Sequence, residues 1–203
     1  MTRYLFEHFA VMFGAATGAL AARGKRIDLF GVVVLGLVTA VGGGTLRDLL
    51  LQKPVFWIVD ASFVLTGAVT ALATFFAVRY VAPPTQTLQL VDAASLAFVT
   101  MLGTAKTLQF EHAAVVCVVL GVTTGVAGGM IRDVLCGEVP LVFRAHINLY
   151  ATAALAGSVV YLLVSAGGGT APLNLIAGAA VIFGLRLAAL KWQIRLPEFV
   201  SRE

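Results

Sequence analysis

The residues best suited to chemistry occur twice in this chain. Gly42-Gly43-Gly44 is followed three residues on by Arg47-Asp48, and Gly128-Gly129 is followed at the same spacing by Arg132-Asp133. Consecutive glycines lack a Cβ and cost roughly 1 kcal/mol each relative to alanine inside a helix. They predict an interrupted hydrogen-bond ladder, and carbonyl oxygens freed at membrane depth must face protein or a water-filled cavity. Carbonyl oxygen is a good ligand for a monovalent cation, so Gly42, Gly43, Gly44, Gly128 and Gly129 are candidate pore or ion-binding positions. Close helix packing is the competing reading, because small residues let backbones approach.

The charges beside the glycines need partners. A charge at mid-bilayer costs at least a few kcal/mol and usually pairs. Adjacent residues on a helix do not face each other. Crossed pairs are therefore expected, Arg47 with Asp133 and Arg132 with Asp48, against the alternative of snorkelling to the nearest interface. Lys106, in Gly103-Thr104-Ala105-Lys106, reads either as a cation tuning access to a pore or as an interfacial anchor. Glu7, Asp60 and Asp92 fall near helix ends, where an interface-solvated acid is expected, and Glu138 falls in a loop. His8, His112 and His146 share no metal-ligand spacing, and neither Gly-x-Ser-x-Gly nor a P-loop lysine occurs. No metal, cofactor or enzymatic reaction is expected.

The elements that must carry these residues are membrane helices. Of 203 residues, 60% are hydrophobic and 12% charged, about half the charged fraction of a soluble domain. Lipid has to cover the remaining surface. The net charge of +4 is spread singly between apolar runs, which argues for membrane lipids as neighbours and against nucleic acid. Seven segments approach the roughly 20 residues that span a bilayer: 7–22, 29–51, 56–80, 90–108, 113–136, 147–165 and 172–191. Strands are excluded by the absence of period-2 alternation and by the need to pair backbone groups in lipid. The first segment imitates a cleaved signal peptide, but Glu7 and His8 interrupt it, so it is read as a retained helix.

Residues 35–50 align without a gap to residues 120–135, with more than half the positions identical, and the same offset of 85 pairs Glu7 with Asp92 and Gly18 with Gly103. The expected architecture is all-α: a first three-helix repeat in residues 1–82, a second in 88–166, and a seventh helix with a cytoplasmic tail in 171–203. Three helices is an odd number, so the second copy is inverted, a design known from solute-translocating proteins. With Lys191, Arg195 and Arg202 assigned to the cytoplasm, Arg23, Lys25, Arg26, Arg79, Arg132 and Arg144 share that side. That basic imbalance predicts an outside N-terminus and a cytoplasmic C-terminus.

The doubled Gly-Gly-x-x-Arg-Asp pattern, with Gly137-Glu138-Val139-Pro140 after the second copy, resembles the prokaryotic branch of the trimeric intracellular cation channel (TRIC) family. Related bacterial sequences are described as glycine transporters. The resemblance covers about residues 7–191. It implies seven helices, a homotrimer with one pore per protomer in the prokaryotic plasma (inner) membrane, and passage of monovalent cations such as potassium. It also places helix kinks at Gly42, Gly43, Gly44, Gly128 and Gly129. The second motif departs from the pattern, since Ala127 stands where a first glycine is expected. The lysine that animal members carry before the second break is absent from residues 122–127. A passive cation channel, a secondary transporter of a small zwitterion such as glycine, and a membrane assembly protein without transport are the three functional expectations.

Overall fold

A computed structural model describes residues 2–81, 83–84, 86–144 and 149–194. His146, Arg195 and Arg202 lie outside the described residues. The order is α1 (Thr2–Ala21), α2 (Leu29–Leu50), α3 (Phe56–Val59), α4 (Ser62–Tyr80), α5 (Thr87–Leu108), α6 (Ala114–Leu135), a 3₁₀ turn at Leu141–Phe143, α7 (Ala151–Ala166) and α8 (Ala171–Trp192). The chain is all-helical across the described residues, and α1, α2, α4, α5, α6 and α8 are long and apolar enough to cross a membrane. At 16 residues, α7 reaches about 24 Å and falls short of the 30 Å core.

Local chemistry explains the boundaries. Asp28 caps α2 by accepting a hydrogen bond from Gly31 N at 2.8 Å, satisfying one of the helix's orphan donors. The expected span 56–80 is two helices, because Asp60 Oδ1 takes the Ser62 amide at 2.9 Å and starts α4 afresh. The carboxyl of Asp60 is held below its usual range chiefly by the Ser62 hydroxyl. Helices α2 and α6 end alike: Lys53 N reaches Asp48 O and Glu138 N reaches Asp133 O, both at 2.9 Å. The turn residue is left-handed in each, Gln52 at φ 53° and Gly137 at φ 70°, which is the Schellman geometry that favours glycine.

The bundle buries charged side chains beside a core of small apolar residues, and its outer surface is apolar. Arg132 and Arg186 are the largest fully buried side chains, while Phe30 (77% exposed) and Tyr80 (80%) point outward. Such a distribution would aggregate in water and is stable only where lipid is the solvent. Helix α1 packs on α2, α4 and α5; α5 packs on α6; α2 meets α6 near the middle of the bundle; and α7 pairs with α8.

That α2–α6 crossing corrects the expected helix breaks. Both helices run uninterrupted through their glycines. A Cβ on Gly43 would overlap the Thr124 carbonyl oxygen, and one on Gly128 would overlap the Thr39 carbonyl oxygen. The pairing of 43 with 124 and of 39 with 128 makes the helices antiparallel. Backbone contact along this seam compensates the poor helix propensity, so the ladders stay closed. Gly42 is less confined: a Cβ there would lie 3.0 Å from the Ile131 side-chain tip, and its counterpart is already Ala127.

Candidate translocation site

At the C-terminal end of α2, Arg47 Nε bonds Asp48 Oδ1 at 2.7 Å, and Lys106 Nζ from α5 reaches the same oxygen at 2.8 Å. Asp48 Oδ2 accepts from the Phe56 amide at 3.0 Å. At the C-terminal end of α6, Arg132 Nε bonds Asp133 Oδ1 at 2.8 Å, and Asp133 Oδ2 accepts from the Leu141 amide at 2.8 Å. Each Arg-Asp pair thus clamps the loop that follows its own helix. The crossed pairs Arg47–Asp133 and Arg132–Asp48 do not form. The antiparallel crossing carries the two motifs about 18 Å apart along the helix axis, too far for direct contact. An arginine is also long enough to fold its Nε onto the neighbouring carboxylate, although the two Cβ atoms diverge.

Further groups join these clamps from other elements. Arg132 Nη1 bonds Asp92 Oδ1 of α5 at 2.9 Å. Asp92 is 3% exposed, so this acid is a buried partner and not the interface-solvated group expected from its place near a helix end. Glu7 is half-buried and accepts from Arg3 Nε at 3.2 Å. Lys106, with 15% side-chain exposure, is the partner of a fully buried aspartate. Tyr150, absent from the sequence-derived candidates, is buried, and the Arg186 guanidinium of α8 lies 4.8 Å from its ring centroid. Glu138 bonds Lys25 and Arg144 in an exposed loop cluster, and Lys25 holds its carboxyl below the usual range.

Two small cavities flank the α2–α6 seam. One, of about 30 Å³, is bounded by α1, α2, α3 and α5, with Glu7, Gly44, Arg47 and Phe56 in its wall. The other, of about 10 Å³, is walled by Thr17, Thr39, Asp92, Thr124, Gly129 and Tyr150 among others. A Cβ on Gly129 would lie 3.3 Å from Tyr150 Oη and 3.8 Å from Asp92 Oδ1, so this glycine faces the second cavity. A Cβ on Gly44 would come within 2.6 Å of the Phe56 ring. Of the sequence-derived site residues, Gly43 and Gly128 lie in the seam, while Gly44, Gly129 and Arg47 line cavities. Asp48, Lys106, Arg132 and Asp133 form the buried clamps.

A helical bundle with buried ion pairs, an apolar exterior and six helices long enough to span a bilayer defines a multi-pass membrane protein. The sequence model of the family described as "Glycine transporter" matches twice, at residues 4–79 and 89–166. The UPF0126 inner membrane protein YadS of Escherichia coli K12 is 41% identical, covering 93% of this chain and 92% of its own length. A UPF0126 membrane protein of Vibrio cholerae is 37% identical, covering 97% of this chain and 82% of its own. The crystal structure of the TRIC trimeric intracellular cation channel orthologue from Rhodobacter sphaeroides superposes with a TM-score of 0.89 at 37% identity, covering 95% of this chain and 98% of that one. A further TRIC cation channel structure matches with a TM-score of 0.87 at 32% identity. The chain belongs to this glycine-transporter (UPF0126) family, which is related to the prokaryotic TRIC channels.

Proposed function

We propose that the protein conducts monovalent cations, potassium foremost and sodium with it, through the interior of each bundle. The observation that carries this reading is the fold-wide likeness, at 37% identity, to a protein described as a trimeric intracellular cation channel. The route runs between the half comprising residues 1–82 and that comprising 88–166, with 171–203 outside the repeat. It joins the two cavities when the Gly43–Gly128 seam parts. Gly42, Gly44 and Gly129 border that route, and Lys106 stands at one end of it. A homotrimer with the N-terminus outside and the C-terminus in the cytoplasm is part of the same reading. It is supported by the trimeric description of the relative and by the basic residues Arg23, Lys25 and Arg144 gathered at one end of the bundle.

The test is flux through purified protein in vesicles. Potassium current that reverses at the Nernst potential is the expected result. Folded protein that carries no such current removes the channel. A second reading, transport of a small zwitterion, is favoured by the family description and by an acid and an arginine sharing one cavity wall. Saturable glycine exchange without current is its signature.

A further inference from the structure

The two cavities are counterparts of one another. At the 85-residue offset, Glu7, Ala10, Val11, Ala40 and Gly44 of the first correspond to Asp92, Ser95, Leu96, Gly125 and Gly129, all of which line the second. Arg47 corresponds likewise to Arg132. Yet the two are in different states. In the second, the acid and the arginine have closed on each other at 2.9 Å, and the remaining volume of about 10 Å³ is at the lower limit for one water. In the first, Glu7 and Arg47 line about 30 Å³ without an ion pair between them. Glu7 is engaged from the rim by Arg3. Arg47 is 7% exposed and gives its Nε to Asp48. Its terminal Nη atoms have no hydrogen-bond partner among the described residues, and the guanidinium stacks 5.8 Å from the Phe56 ring centroid.

From this difference we infer that the Glu7–Arg47 cavity is a binding site for a small zwitterion, an α-amino acid with little or no side chain. The ligand carboxylate takes the Nη donors of Arg47, and the ligand ammonium takes Glu7. Arginine presents a planar fork matched to a carboxylate, and its charge-assisted bonds are the strong kind. A bare cation at this place would face Arg47 with Lys106 behind it, and a bare anion would face Glu7; a zwitterion satisfies both. Size points the same way. The space equals about two waters, and Val11, Phe56, Val99 and Leu102 close around it, leaving no room for a branched side chain. In the second cavity the acid and base instead meet directly through Asp92 Oδ1 and Arg132 Nη1, while Asp92 Oδ2 and Arg132 Nη2 stay buried without a hydrogen-bond partner among the described residues. In the first cavity a zwitterion bridges an acid and a base that already stand apart. The site rests on the zwitterion reading and is independent of conduction.

The test is equilibrium binding of radiolabelled glycine to the purified full-length protein in detergent, with competition by leucine, acetate and methylamine. Saturable binding at one site per chain is expected, with leucine, acetate and methylamine each about tenfold or more weaker as competitors. Glu7→Gln and Arg47→Gln should each weaken glycine about tenfold or more. Arg3→Gln, which frees Glu7 from its rim partner, should tighten affinity, an outcome that a merely structural Glu7 does not produce. Glu7→Gln serves alone if Arg47→Gln fails to fold, since Glu7 is outside the clamp. Acetate competing as well as glycine overturns the zwitterion assignment. Saturable binding unchanged in Glu7→Gln overturns this site while leaving the zwitterion reading standing. No glycine binding by folded wild type overturns both, and potassium flux on the same preparation decides the channel reading separately.

Discussion

The two ends of the bundle are made from one repeated motif, yet they hold their charges in opposite proportions. Around Asp48 one acid sits between two bases, Arg47 and Lys106. Around Arg132 one base sits between two acids, Asp92 and Asp133, with Arg186 approaching from α8 through Tyr150. The shared part, an Arg-Asp pair and a loop amide bound to its aspartate, is what folding requires at the end of α2 and of α6. The part that differs, Lys106 against Ala21 and Glu7 against Asp92, is where one end stays open and the other closes. Duplication supplied the frame; divergence of single residues gave the halves unequal states.

The sharpest way to break this comparison is to remove the two clamp aspartates. Asp48→Ala leaves Arg47 and Lys106 without a carboxylate and should cost about 3–5 kcal/mol, while Asp133→Ala leaves Arg132 with Asp92 and should cost visibly less. Adding Lys106→Met to Asp48→Ala should recover part of the loss. Thermal unfolding in detergent reads all three, and equal destabilisation by the two aspartate variants would deny that the ends differ.

Next in size is the seam, where the halves should behave alike. Gly43→Ala and Gly128→Ala each drive a methyl group into a backbone carbonyl and should cost about 1–3 kcal/mol, whereas Gly42→Ala should be close to neutral. A melting temperature for Gly43→Ala equal to wild type would remove the close crossing. Smaller still is the turn after α2. Gln52 adopts the left-handed conformation that its counterpart Gly137 adopts without strain, so Gln52→Gly should stabilise by up to about 1 kcal/mol, and Gly137→Ala should destabilise by a similar amount.

The smallest effect concerns pH. The folded-state value of Glu138 is depressed by Lys25. Its contribution is present above the unfolded carboxyl value and is lost as pH falls through the depressed one. Below about pH 4 the melting temperature of wild type should approach that of Glu138→Gln. In the first half Lys53 stands at the same place, over the Phe110 ring at 4.2 Å, and its replacement by methionine should show no such acid dependence.

Much of this could be read from residue order. The long apolar runs place α2, α5, α6 and α8 to within about three residues and α1 and α4 to within about six, because lipid imposes a length and forbids unpaired backbone. The 85-residue offset was visible in Glu7 and Asp92 as well as in the glycines. What misled was treating each residue through its own neighbours. Three glycines weaken an isolated helix, but here the facing backbone of Thr124 makes them the contact surface. Asp92 reads as a solvated acid until Arg132 is folded onto it. The start of α4 was legible in Asp60-Ala61-Ser62, a capping signal hidden inside an apolar run. Tyr150 and Arg186 carry no local signal, since a tyrosine before a helix and an arginine late in one are ordinary; only α7 and α8 docking on α5 brings them to Asp92.

The Asp92–Arg132 pair also has an order of arrival. The two residues are 40 positions apart, so at ordinary synthesis rates the acid is made about 2–8 s before its basic partner. Arg186, on the last helix, follows later still. Arg47 and Asp48 emerge together and Arg3 precedes Glu7 by one helical turn, while Lys106 joins Asp48 only when α5 is made. Arg47 and Asp48 can therefore enter the bilayer already paired, whereas α5 carries Asp92 without its base until α6 is complete. The order in which the two halves bury their arginine–aspartate pairs is thus written into the spacing of those pairs.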